Sequence, residues 1–267
     1  MYYCMTAKKL SGGYSGIPVF QDLDLEIPSG KITTLIGSNG SGKSTILKTM
    51  SRVLTPSGGA VYLEGKPIHS MPTKQVAQML ALLPQGAETP SGITVEDLVE
   101  YGRFPYRGRF LGITEKDSEI IRWALSCTNM TELAEREMDQ LSGGQRQRGW
   151  IAMALAQKTG ILLLDEPTTY LDISHQLEIL QLLRKLNKEQ GVTIAMVLHD
   201  LNHAVMFSDY LVAIKDGKKH SCGSPEDVIT PQILREVFDV EAEVIIHPVL
   251  GVPVCLPYGV RGQIFYK

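Results

Sequence analysis

The stretch Gly37-Ser38-Asn39-Gly40-Ser41-Gly42-Lys43-Ser44-Thr45 constrains this chain more than any other part of it. It follows the short apolar run Ile32–Ile36 and precedes Lys43–Met50, which has helical patterning. A buried strand feeding a glycine-rich loop and then a helix is the context in which GxxxxGK[ST] forms a phosphate-binding loop. The glycines let the backbone turn tightly and point successive N–H groups inward, and the positive end of the helix dipole adds to them. A polyphosphate finds an anion nest there. Lys43 then reaches the β and γ phosphates, the Ser44 hydroxyl is placed to ligate Mg²⁺, and Thr45 contacts phosphate from the next turn. A glycine-rich turn without a ligand is the plainer alternative, but it leaves the flanking strand and helix unexplained.

Two more apolar runs of strand length, residues 161–164 and 193–198, are each followed by a polar residue and a helix-like segment. With Ile32–Ile36 they predict neighbouring strands of one parallel sheet, whose right-handed crossovers need helices between them. Residues 174–187, with Leu177, Leu180, Leu183 and Leu186 recurring, suit one such helix. Upstream, residues 1–10 read as strand, and residues 22–27 alternate acidic with apolar before the turn Pro28-Ser29-Gly30, so the chain opens on a β-meander. Between Gln85 and Ile161 no buried strand is evident, and residues 95–101 and 118–126 read as helices. After Tyr210 short strands and turns return, with a helix over Pro231–Phe238 and a strand over 244–246. The predicted fold class is α/β: a P-loop NTPase core with a mainly parallel sheet, an N-terminal antiparallel β subdomain and an inserted helical lobe. All 267 residues are expected in a single domain: 1–85 and 160–238 form the meander and core, 86–159 the lobe, and 239–267 the C-terminal strands.

Asp165 ends the apolar run 161–164, where a carboxylate is costly to bury unless it is paired or holds a cation. In P-loop enzymes an aspartate so placed completes the shell of the Mg²⁺ that Ser44 also touches. Glu166, its neighbour, can orient or deprotonate the water that attacks the γ-phosphate. An acid stabilised by a helix dipole is the bland reading of Glu166. His199 stands just past the run 193–198, so Gly37, Asp165 and His199 all fall at strand C-terminal ends, where open α/β sheets bind ligands. His199 and His203 are also spaced i,i+4, but Asp200 replaces the glutamate that an HExxH zinc site requires.

The net charge of −3 gives no global reason to expect nucleic acid or an anionic membrane surface as partner. The most apolar windows are strand-length or broken by His247, Pro248, Pro253 and Pro257, so no spanning helix is expected. No charged-then-apolar signal segment opens the chain, which predicts residence in the cytosol. Cys4, Cys127, Cys222 and Cys255 are scattered without CxxC spacing and read as free thiols.

Leu141-Ser142-Gly143-Gly144-Gln145 opens a helix-like run through Gln157. Combined with the motifs above, it resembles the signature sequence of ABC ATPases, and the resemblance covers essentially the whole chain. The order of motifs also includes a Q-loop candidate at Gln85, a D-loop at Tyr170-Leu171-Asp172 and a switch histidine at His199. The resemblance implies that Tyr14 stacks on adenine, and that Gln85 reaches Mg²⁺ and the attacking water while sensing a membrane partner. It also implies that Ser142, Gly143 and Gly144 address the nucleotide of the opposite subunit, and that Gln145 and Asp172 belong to the nucleotide-binding residues. Two copies would then enclose two ATP molecules. Residues 165–172 and Tyr101-Gly102-Arg103-Phe104-Pro105-Tyr106 look most like bacterial iron(III)-siderophore import ATPases, a subfamily shared with vitamin B12, haem and other metal-chelate importers. The partners so implied are two transmembrane permease subunits and, indirectly, an extracytoplasmic substrate-binding protein, with the chain peripheral on the cytoplasmic face of a bacterial membrane. A soluble ABC ATPase acting on nucleic acid or ribosomes is the alternative. Arg103 to Arg109 reads either as a surface for the membrane partner or as a solvated basic loop. Gly149, where such relatives often carry alanine, is expected to cost about 1 kcal/mol of helix propensity.

Overall fold

The structure is a computed structural model that describes residues 2–87, 91–108, 112–169 and 171–264. It divides into two compact units, Met1–Ser70 with Thr193–Lys267, and Met71–Val192.

In the first unit the strands Tyr3–Tyr14 and Ile17–Pro28 form a hairpin, flanked by Gly58–Leu63 and Lys66–Pro67 in an antiparallel sheet. Ser15 (φ 51°) and Gly16 (φ 79°) are both left-handed, the turn geometry that matches the twist of paired strands. The predicted alternation is realised: Leu23, Leu25 and Ile27 are buried and Asp22, Asp24 and Glu26 exposed. Ile32–Ile36, buried at every residue, runs parallel to Thr193–Val197 on one side and Tyr210–Lys215 on the other. Its burial on both sides explains why it reads as an unbroken apolar run rather than an alternating one. Lys218–Gly223 adds an antiparallel edge, and Val240–Ile246, Pro253–Val260 and Gln263–Ile264 form a separate small sheet. That sheet is tied to the helix Leu201–Phe207 by Asn202, whose amide accepts from Cys255 N–H at 2.8 Å and donates to Cys255 O at 3.3 Å.

In the second unit Leu80–Leu83 and Ile161–Asp165 form a parallel pair, and Thr73–Met79, Val95–Tyr101, Glu115–Cys127, Gly143–Ala156 and Ile173–Gln190 are helices. Three of these helices start where a hydroxyl and an acid or amide three residues on satisfy each other's backbone: Thr94 with Asp97, Thr114 with Asp117, and Ser142 with Gln145. Ile173–Gln190 stops at Gly191, which is left-handed (φ 66°). Gly149 has a packing reason: a Cβ there would lie 3.1 Å from the Met138 sulfur, so the lost propensity accompanies a close contact. Among the described residues, no helix is long and apolar enough to cross a membrane, and the four cysteines are free.

Arg103 corrects the expectation of a surface or solvated basic loop. It is only 4% exposed. Its guanidinium donates to Asp117 Oδ1 at 2.8 Å and to Ala156 O, the last carbonyl of the helix Gly143–Ala156, at 2.8 Å, and it lies 4.0 Å from the Tyr106 ring centre. Gly102 permits this approach, since a Cβ would stand 2.3 Å from Met153 O. Charge composition signals exposure on average, but a planar fork of five donors can be buried when each direction meets an acceptor. Arg107 likewise pairs with Glu100 at 3.1 Å, while Arg109 lies outside the described residues. Burial alone would raise the Asp117 pKa, but hydrogen bonds from Thr114 and Arg103 outweigh it and hold the carboxyl below its ordinary value.

Replacing Arg103 with methionine leaves the Asp117 charge buried without its cation and should lower stability in urea by about 3–5 kcal/mol at neutral pH. Because the folded Asp117 pKa is depressed, its contribution is present above about pH 4 and fades as pH falls through the folded value. The difference between the two proteins should therefore shrink in acid. Equal urea midpoints at pH 7 would contradict the role given to Arg103.

Candidate functional site

The first unit holds the glycine loop. Gly37 follows the strand Ile32–Ile36 with φ 155°, and a Cβ there would stand 2.2 Å from the carbonyl oxygen of Ile214 on the adjacent strand Tyr210–Lys215. Gly40 (φ 77°) and Gly42 (φ 98°) complete the turn, and Gly42 is the N-cap of the helix Lys43–Met50, which no side chain caps. Lys43 is 5% exposed and bends its ammonium back onto the loop, donating to Gly37 O and Ser38 O at 2.9 Å each and to Ser41 Oγ at 3.3 Å. The lysine thus braces the cradle from inside. Ser44 and Thr45 occupy the first helical turn, half-buried and buried, and Asn39 and Gly40 are exposed at the loop tip.

His199 is exposed just beyond the strand Thr193–Val197 and shares a cavity of about 310 Å³ with Gly37, Ser38 and Asn39. Asp200, next along the chain, caps the helix Leu201–Phe207 by accepting from His203 N–H at 2.7 Å. Tyr14 is 46% exposed at the tip of its hairpin, a ring presented to solvent.

The second unit gathers the remaining candidates. Asp165, the last residue of the strand Ile161–Asp165, has no exposed surface. Glu166 follows in a left-handed conformation (φ 54°), which is strained for a residue with a Cβ. Its Oε2 accepts from Gln85 Nε2 at 2.5 Å and from Thr169 Oγ1 at 2.9 Å, so Gln85, past the strand Leu80–Leu83, is brought directly onto the predicted water-activating acid. Ser142 and Gln145 engage each other in the capping box, with Gln145 N–H donating to Ser142 Oγ at 3.3 Å and Ser142 N–H to Gln145 Oε1 at 3.0 Å. Gly143 faces open space, and Gly144 lies against Leu171, to which a Cβ would come within 3.4 Å. Gln147 on the same helix donates to Pro167 O at 3.0 Å. The serine-glycine helix therefore lies against Leu171 and holds the carbonyl of Pro167, the residue after Glu166. Asp172 caps the helix Ile173–Gln190; its pKa is lowered by the His175 backbone N–H, then by the Ser174 hydroxyl and the His175 ring at 2.7 Å. Tyr170 lies outside the described residues.

Thr169 and Gln147 are the residues that sequence reasoning missed. Their only sequence signal was proximity, a hydroxyl three residues beyond Glu166 and an amide in the run after Gln145.

A family model described as ABC transporter matches residues 20–169. The iron(3+)-hydroxamate import ATP-binding protein FhuC of Bacillus subtilis (strain 168) is 58% identical over 254 residues, spanning 95% of this chain and 94% of that protein. A solved metal-chelate type ABC transporter in an inward-facing conformation has a TM-score of 0.83 at 27% identity, covering 96% of this chain and 98% of its own. Dimeric structures of MJ0796, a bacterial ABC transporter cassette, one in a post-hydrolysis state bound to ADP and Pi, have a TM-score of 0.72 at 30% identity, over 82% of this chain and 98% of theirs.

The loop geometry separates its glycines. Gly37→Ala places a methyl group against backbone and should cost about 3 kcal/mol in equilibrium unfolding. Gly40→Ala meets nothing within 4 Å and should cost only about 1 kcal/mol, from its positive φ. Equal losses would show that the close approach of Gly37 to Ile214 is not what selects glycine.

Proposed function

This chain belongs to the ABC transporter family, and on that premise we propose that it is the ATP-hydrolysing subunit that energises an importer of iron(III)-siderophore chelates. The observation that carries the hydrolytic part is the hydrogen bond from Gln85 to Glu166, at 2.5 Å, in a chain whose Lys43 is already folded into a phosphate loop. Support for the cargo is the near full-length match to an iron(3+)-hydroxamate import ATP-binding protein. Vitamin B12, haem and other metal chelates are the second reading, favoured by the likeness to a transporter of the broader metal-chelate type.

In this reading the amides of residues 37–42 and the Lys43 ammonium hold the β and γ phosphates, Thr45 adds a contact from the first helical turn, and the Tyr14 ring stacks on adenine, a contact worth about 1–3 kcal/mol. Ser44 and Asp165, with Gln85, are the residues that would hold Mg²⁺. All offer hard oxygens, and the fully buried Asp165 carboxylate suits a dication. When bound, the ion supplies charge neutralisation at the phosphate oxygens. Glu166 orients and deprotonates water for attack on the γ-phosphate, and His199 lies on the phosphate side to complete the polar shell. The N–H groups and hydroxyl at Ser142, Gly143, Gly144 and Gln145, with Asp172, meet the nucleotide held by a second copy. The γ-phosphate thereby closes the pair, and its loss reopens it.

The whole chain acts as one nucleotide-binding domain, with residues 86–159 as the lobe that passes movement to two transmembrane permease subunits on the cytoplasmic face of the membrane. An extracytoplasmic binding protein delivers the chelate.

Lys43→Ala should weaken ATP binding at least tenfold in a calorimetric titration, because the cradle loses both its cation and its internal brace. Glu166→Gln should keep ATP affinity within about threefold while turnover falls more than a hundredfold. Wild-type turnover in Glu166→Gln would remove that residue from the role given to it. In vesicles carrying the matching permease, ferric hydroxamate on its binding protein should stimulate ATPase activity; stimulation by cobalamin or haem alone would redirect the cargo.

A further inference from the structure

We propose that Thr169 is a positioning residue for ATP hydrolysis: its hydroxyl fixes the Glu166 carboxylate in the orientation from which that carboxylate acts on the attacking water. The inference rests on the reading of Glu166 as the water-activating acid. Thr169 grips its neighbour twice, with its side chain donating to Glu166 Oε2 at 2.9 Å and its backbone N–H donating to Glu166 O at 3.3 Å. The two contacts close a turn over Glu166-Pro167-Thr168-Thr169, whose Pro167 carbonyl is held from outside by Gln147 at 3.0 Å.

Such a grip has work to do. Glu166 sits at φ 54°, a region a residue with a Cβ occupies only when its surroundings insist on it. A glutamate also has three side-chain torsions to settle before its carboxylate points anywhere in particular. Gln85 approaches the same Oε2 at 2.5 Å from beyond a different strand, so two donors converge on one oxygen and remove the rotation about the last bond. The two donors differ in kind. Gln85 is a long, exposed side chain, whereas Thr169 is half-buried, β-branched and part of the same turn. The threonine is therefore the fixed member of the pair.

The test is steady-state ATP hydrolysis by the full-length chain with Mg-ATP, comparing Thr169→Val, which removes the O–H and keeps the shape, with Thr169→Ser, which keeps the O–H. Thr169→Val should lower kcat roughly tenfold with KM and the urea midpoint unchanged, and Thr169→Ser should return kcat to within about twofold of wild type. In a Glu166→Gln background, measured in single turnover with enzyme in excess, Thr169→Val should add nothing, because the group it orients is gone. Wild-type kcat in Thr169→Val, equal loss in the Ser and Val variants, or a full further loss in the double variant would overturn the proposal. If the valine variant unfolds at lower urea, Thr169→Ala provides the same comparison with a smaller side chain. Loss of turnover in Glu166→Gln alongside normal turnover in Thr169→Val overturns only this inference, whereas normal turnover in Glu166→Gln overturns the reading beneath it.

Discussion

A triphosphate can be held out of bulk water only by a dense set of donors, and backbone amides supply that density where the chain curls with no side chains in the way. Gly37 meets this condition at the tightest point, because its Cα passes so close to Ile214 O that a methyl group would overlap the neighbouring strand at 2.2 Å. Lys43 then folds over the curl and ties three of its oxygens together. Two carbonyls and a serine hydroxyl thus keep the ammonium beside the loop amides. The strand Ile32–Ile36, buried along its length between two parallel neighbours, keeps the loop from relaxing.

The second unit holds the Glu166 carboxylate in one place. Glu166 is strained in its backbone and held in its side chain by two donors, and the turn that carries it is tied to the helix Gly143–Ala156 through Gln147. The far end of the same helix is fastened by Arg103, which accounts for an arginine and a glycine side by side in what reads as a surface loop. The helix that presents Ser142 and Gly143 is thus fixed at both ends.

Strong periodicity and glycine placement were readable from residues alone. The strand Ile32–Ile36 and the helices Lys43–Met50 and Pro231–Phe238 have the bounds that their patterns predict. The strand Leu80–Leu83 was not legible, because its four apolar residues continue without a break from the helix Thr73–Met79. Gly58–Leu63 was hidden by two leading glycines, which pattern statistics assign to turns. Arg103 was misjudged because composition carries no record of which acceptors surround a cation. In the candidate site the order of motifs was visible, and so was the resemblance they carry. The contact of Gln85 and Thr169 with a single oxygen of Glu166 was not, since it depends on two strands ending side by side and on a backbone angle that no residue type announces.

In the proposed function, two copies of this chain clamp ATP between the glycine loop of one and the serine-glycine helix start of the other. Sedimentation velocity of the Glu166→Gln variant, with and without saturating Mg-ATP, tests it most directly. A single-chain species without nucleotide should convert to twice that mass when ATP is added, and return to single chains when Ser142 is also replaced by arginine. A sedimentation coefficient unchanged by saturating nucleotide would contradict it.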